Sequence, residues 1–458
     1  MFIDAGSTQR YCDGVSRRSF LKIGVAGMAS VGLSQVLRAK AAAAEAGKSQ
    51  KNTSVIMLWL DGGPGHMDMY DMKPQAPAEF RGIWNPIKTN VSGIEITELF
   101  PLQAKVADKF SIVRSLHHDT GDHFTGGHWM LTGRGGVSGA NTAGKYPSIG
   151  SIATKSVGAR QPGMPSHVAV PYAMSIGLRP GYFGGNYLGV QHNPFETEGD
   201  PNAANFQVQN MLLQNGMTVE QLENRRSLVK YMDQLNRQAD RSGAIEAMDR
   251  FDQAAFEMVT GEKARKAFDI AQEDDQTREM YGRNSWGQST LLARRLVEAG
   301  STFVTCHFGG WDHHWDLQAG MERYLPQIDQ LVSGLFTDLS QRGLLDRVLV
   351  VLCGEFSRTP RMNDGGNGGA PMSQGTPGRD HWGNSMFCLL GGGGVQGGRI
   401  VGSTDRHGEA PKDNPLRPGD IHHTIYHVLG VDPHQNFLDH SGRPVPAIDH
   451  GDVIKELF

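Results

Sequence analysis

Cysteine is scarce. There are four in 458 residues, and Cys12 lies in a leader segment, which leaves Cys306, Cys353 and Cys388. An odd number cannot pair completely within one chain, and no Cys-x-x-Cys pair occurs, so zinc-ribbon and thioredoxin-type sites are excluded. All three lie in or beside apolar runs, where a free thiol packs as a small hydrophobe. An excess of one charge is also missing: 44 basic against 48 acidic residues give a formal net charge of −4. No basic footprint for nucleic acid results. Beyond position 40 there is no apolar run of 18 residues, so no transmembrane segment is expected in the mature chain. The four-glycine run Gly391 to Gly394 lacks the Gly-Lys-Ser/Thr ending of a phosphate-binding loop and reads as a turn. Gly135 to Gly139 misses the Gly-x-Ser-x-Gly elbow by one residue, so no Ser-His-Asp triad can be assigned.

What is present is glycine, histidine and a marked N-terminus. Glycine reaches 59 of 458 residues, about twice the usual share, with no repeat period, so collagen is excluded. Ser16-Arg17-Arg18-Ser19-Phe20-Leu21-Lys22 precedes a mild apolar stretch, Ile23 to Leu37, and small-residue cleavage options at Ala39 to Ala44. This is the pattern of a twin-arginine export signal. Residues 1–45 are therefore expected to be removed, the export machinery is an expected partner, and the protein is expected in the periplasm or outside the cell. That route carries folded proteins, which suits a chain that takes up a cofactor first.

The mature chain alternates apolar runs with helical periodicity. Ser54 to Leu60 is continuously apolar and stops at Asp61-Gly62-Gly63-Pro64. Lys109 to Arg114, Thr302 to His307, Arg347 to Cys353 and Ser385 to Leu390 repeat the grammar, each closing on a polar or glycine-rich loop. Gln288 to Ala299 and Leu325 to Arg342 carry helical spacing between them. Strands buried on both faces and separated by helices predict a mostly parallel central sheet with helices on both faces, an α/β fold. Ligands bind such sheets outside the carboxyl ends of the strands, where Asp61, Asp312, His314 and Glu355 fall. Residues 195–285, with helical patterns at Val219 to Asp240 and Ile245 to Val259, read as a helical insertion or cap. Asn363 to Arg379 reads as a long functional loop, because it closes on Asp380-His381-Trp382.

All 18 histidines follow the leader, and many sit beside aspartate: His117-His118-Asp119, Asp122-His123, Asp312-His313-His314 and Asp380-His381. Imidazole with carboxylate is a ligand set for zinc, manganese or iron rather than for soft copper or iron–sulfur sites. Asp61, at the end of a buried strand, needs a partner for its charge, and a metal would be one.

The order of these motifs resembles the alkaline phosphatase–sulfatase superfamily and, within it, the exported DUF1501 family. The resemblance rests on DGGPGHMDMYDMKP (61–74), LTGR (131–134), GGWDHH (309–314), GEFSRTP (354–360), GRDHW (378–382) and DIHHTIYHVLGVDP (420–433), and covers residues 52–458. It implies an alkaline-phosphatase-like fold and one or two divalent cations, zinc, manganese or calcium. Asp61 and Glu355 would hold one, and Asp312, His314 and His381 the other. Asp380 would be a ligand or would orient a neighbouring histidine. Arg358 would bind an anionic oxygen or form a structural ion pair.

Departures from the family pattern bear on the chemistry. Ten residues before Gly133, where sulfatases carry the cysteine that becomes formylglycine, stands His123. A formylglycine mechanism is thus unsupported. His123 is read as a ligand or as the group acting on a metal-bound hydroxide, with Thr120 or Thr125 as displaced nucleophiles. Phe356 stands where phosphatases have a histidine. The leading expectation is a metal-dependent hydrolase of a phosphate or sulfate ester, with an anionic, glycan-derived ester among the candidate substrates. The alternative is a non-catalytic envelope protein that uses the same fold and a degenerate metal site to bind a polyanionic glycan.

Overall fold

The computed structural model describes residues 52–136, 144–211, 218–232, 256–363 and 377–458. The leader, the middle of the expected helical insertion and most of the 363–379 loop lie outside the described residues. An eight-stranded sheet forms the centre of the 52–458 unit. Its strands are β1 (Ser54–Asp61), β2 (Ser111–Leu116), β3 (His167–Val170), β4 (Phe195–Glu196), β5 (Phe303–Gly309), β6 (Val348–Cys353), β7 (Met386–Gly391) and β8 (Ile400–Val401). They lie in the order β8-β2-β7-β6-β1-β5-β3-β4.

The unbroken apolar character of β1 follows from this position. Ile56, Leu58 and Leu60 enter one core with helices α3 (Ser285–Ala299) and α4 (Leu317–Gln341). Val55, Met57 and Trp59 enter the other, with α2 (Ile149–Val157) and α5 (Pro418–Leu429). Alternate side chains point to opposite faces, so a strand covered on both sides shows no polar alternation. Every pairing in the sheet is parallel except those of β7. The apolar run at Ser385 to Leu390 thus ends at the opposite edge from Asp61, and the glycine run after it turns back there.

Phe195–Glu196, at the start of the expected insertion, is the edge strand β4. Helices Val219–Met232, Glu262–Phe268 and Asp275–Tyr281 follow, and Ala264, Ala267, Phe268 and Tyr281 share the buried cluster of β1. No described helix is long and apolar enough to cross a membrane.

Three central neighbours, β6, β1 and β5, end side by side, with Asp61 opposite Gly309 and Trp59 opposite Cys353. The loops that follow them carry Gly62–Asp68, Trp311–His314 and Glu355–Arg358. Gly62 has φ +112°, and a Cβ there would come within 2.7 Å of the Asp312 nitrogen. Only glycine lets these two loops close together.

Candidate metal centre

Asp312 is the hub of the strand-end cluster. Its Oδ1 lies 3.1 Å from His314 Nε2, 3.0 Å from His381 Nε2 and 2.5 Å from Arg358 Nη2. Its Oδ2 lies 3.3 Å from His123 Nε2. His381 reaches this place through a short antiparallel ribbon in which it pairs with Arg358. His123 opens helix α1 (His123–Thr132), capped by Asp122, which accepts from the Thr125 nitrogen.

The far sides of two imidazoles decide the chemistry. His314 Nδ1 is 2.8 Å from Asp380 Oδ1, and His381 Nδ1 is 2.6 Å from the Gly121 carbonyl. Carbonyl and carboxylate oxygens accept and do not donate, so both Nδ1 atoms carry the proton. In the neutral rings each Nε2 then presents a bare lone pair, and the two face each other at 3.0 Å. Together with Asp312 Oδ1 they form a nearly equilateral triangle of electron-pair donors. A tetrahedral cation with bonds of about 2.0 Å spaces its ligand atoms roughly 3.3 Å apart. Giving the second ring N–H to a carboxylate or carbonyl is the usual state of a metal-ligating histidine. The donor set therefore fits a divalent cation.

His123 differs. Its Nδ1 is 2.7 Å from Glu355 Oε1 and its Nε2 faces Asp312, so both nitrogens point at carboxylates. Burial opposes charge on this ring, but the hydrogen bonds to Asp312 and Glu355 prevail and raise its pKa to about 9. On proximity, the ligand atoms of His123, Asp312 and His381 all lie within 4.8 Å of one another. Geometry distinguishes that trio from the Asp312–His314–His381 triangle, because both nitrogens of His123 already face carboxylates, whereas His314 and His381 each keep one nitrogen for the centre. Asp312 and Asp380 raise the pKa of His314 as well, and a cation would displace its Nε2 proton. Burial acts against ionisation of Asp312 too, yet the hydrogen bond from His123 and the charge of Arg358 beside it hold its pKa well below the usual carboxylate range.

Glu355 is fully buried. Its Oε1 also accepts from the Gly62 nitrogen at 2.8 Å, and its Oε2 has no hydrogen-bond partner among the described residues. Burial, reinforced by the charge of Asp61, raises its pKa. Asp61 is engaged elsewhere: it accepts from Ser175 Oγ at 2.8 Å and from the Ile176 nitrogen at 2.7 Å, and lies 3.1 Å from His307 Nε2. Among the described residues, no three-ligand group forms around it. Arg358 is buried and spends its guanidinium on the carbonyls of Gly62, Gly63 and Arg379 and on Asp312. Thr125 Oγ1 donates to Asp122, and Thr120 Oγ1 accepts from the Asp122 nitrogen. Phe356 lies with its ring centre 4.6 Å from that of His381 and 4.8 Å from that of His123. It is an apolar wall that limits where the two imidazoles can swing.

Asp312, His314, His381, Asp380, Arg358, His123 and Glu355 are thus brought together. Asp61 is turned toward Ser175 and His307, and both threonines toward the cap of α1. His307 and Ser175 escaped the sequence reading. A histidine inside the apolar run Thr302 to His307 was the available signal for the first; nothing local marked the second.

The protein is thus an α/β protein with a histidine–carboxylate centre at the carboxyl edge of a mostly parallel sheet. It belongs to the DUF1501 family, described as a protein of unknown function, whose model matches residues 52–458. No curated protein sequence matches the chain. Among solved structures, the PsFucS1 sulfatase from Pseudoalteromonas sp. is 14% identical, with 92% of this chain and 74% of that one covered and a TM-score of 0.37. The phosphonate monoester hydrolase SpPMH from Silicibacter pomeroyi is 12% identical, with 84% and 74% covered and a TM-score of 0.38. The alkaline phosphatase from the Antarctic bacterium TAB5 is 12% identical, with 83% and 99% covered and a TM-score of 0.37.

Proposed function

We propose that the chain is an exported, metal-dependent hydrolase of a phosphate or sulfate ester. The observation that carries this reading is the convergence of Asp312 Oδ1, His314 Nε2 and His381 Nε2, with both Nδ1 protons committed outward. These three residues would hold the cation, and Asp380 and the Gly121 carbonyl would orient the rings. Two imidazoles with one carboxylate favour zinc or manganese over calcium, which takes oxygen ligands. A cation there supplies Lewis acidity toward an ester oxygen and acidifies water. Arg358 fixes Asp312 in place. His123 holds a proton at Nε2 beside the cluster, so this position offers a proton donor rather than a nucleophile. Export rests on Ser16 to Lys22.

The rival reading, a non-catalytic envelope protein that binds a polyanionic glycan, draws support from one observation: no described hydroxyl side chain touches the triangle. A panel of aryl phosphate monoesters, diesters and an aryl sulfate, assayed with the chelated protein and after zinc or manganese is restored, separates the two. Metal-dependent turnover of one ester class supports the hydrolase. Stoichiometric metal binding without turnover of any ester favours the rival.

A further inference from the structure

Asp68 and Arg379 form an ion pair with neither side chain exposed to solvent. The fork is bidentate: Nε donates to Asp68 Oδ2 at 2.8 Å and Nη2 to Oδ1 at 3.0 Å. The remaining donors reach the carbonyls of Thr359, Pro360 and Phe80. The backbone nitrogen of Arg379 donates to the His313 carbonyl at 3.0 Å, and its carbonyl accepts from Arg358 at 3.3 Å. One residue therefore ties together the loop after β1, the segment after Glu355 and the loop that carries Asp312 and His314. The next two residues are Asp380 and His381.

The local sequence is arranged around this carboxylate. A Cβ on Gly65 would lie 2.6 Å from Asp68 Oδ2, and one on Gly82, at φ +80°, 2.8 Å from Oδ1. Stability alone does not account for such a pair. Taking two charges out of water is costly, and apolar replacements of buried pairs are often neutral or stabilising. What a fully satisfied bidentate pair does supply is a fixed direction.

We infer that Asp68 and Arg379 are positioning residues that set His381 and Asp380 against His314 and Asp312. The inference rests on the metal-centre reading of that cluster. Residues that orient ligands through a neighbour typically change metal affinity by about 10- to 100-fold when altered.

The test uses the full mature chain. Arg379→Lys keeps the charge and loses the fork, and Asp68→Asn keeps an acceptor and loses the charge. Asp338→Asn, which removes one of three carboxylate partners of Arg294 in a separate buried ion network, is the control for general destabilisation. Zinc titration is expected to show an affinity loss of about 10-fold or more in the first two variants and none in the control. Ring nitrogen NMR shifts of His314 and His381, read without metal, are expected to move in the same two variants while those of His422 stay. If the parent protein binds no zinc, the metal reading fails and the ring shifts alone decide the positioning role. Should only one of the two variants fold, that one is read in both measurements. Wild-type affinity together with unmoved ring signals in a folded variant would overturn the inference.

Discussion

His314 and His381 face each other Nε2 to Nε2 at 3.0 Å, while each holds its Nδ1 against an oxygen that can only accept. Two neutral imidazoles in that posture repel unless something positive lies between them. His314→Ala and His381→Ala are therefore expected to abolish high-affinity zinc binding. At zinc a hundredfold above its dissociation constant, the parent gains about 2.7 kcal/mol of stability. Thermal unfolding with and without zinc should show that gain in the parent and neither variant.

Asp380 accepts from His314 Nδ1 at 2.8 Å and would act on a metal through that ring. Asp380→Asn should retain the stoichiometry of zinc but weaken it about 10- to 100-fold, measured by calorimetric titration. An unchanged affinity would mean that the orientation of His314 is set by something else.

Stability of the metal-free protein should fall on both sides of a maximum near pH 6.5. His123 has a folded pKa raised to about 9, so its contribution is complete below the unfolded value of about 6.5 and is lost as pH rises toward 9. His422 is buried, and burial pushes its pKa down to about 4. The folded state resists protonating it, so stability is lost as pH falls from 6.5 toward 4. Melting temperature against pH should lose part of its alkaline slope in His123→Asn, with His314 also contributing there, and part of its acid slope in His422→Asn.

The central strands were legible because β1, β5 and β6 are covered on both faces and so read as unbroken apolar runs. The direction of β7 was not: Met386 to Leu390 carries the same apolar pattern whichever way the strand runs, and only its partners β2 and β6 set it. Asp312, His314 and His381 were legible through residue type and motif order. The engagement of Asp61 was not, since Ser175 is 114 positions away and reaches it only through the turn after β3. For His123, chain position singled out the residue, but its charge depends on Glu355 and Asp312, which lie far along the chain.

Export is a separate claim with its own check. Arg17→Lys combined with Arg18→Lys should leave the precursor in the cytoplasm, because the arginine pair is what the export receptor reads. Fractionation that finds the doubly substituted protein outside the cytoplasm at the parent level would remove the claim.

The most direct measurement is anomalous diffraction at the zinc edge from crystals soaked in zinc. A peak within bonding distance, about 2.0–2.2 Å, of Asp312 Oδ1, His314 Nε2 and His381 Nε2 is predicted. A zinc-saturated crystal whose peak lies away from these three atoms, or that shows no peak at the strand-end cluster, would contradict the account.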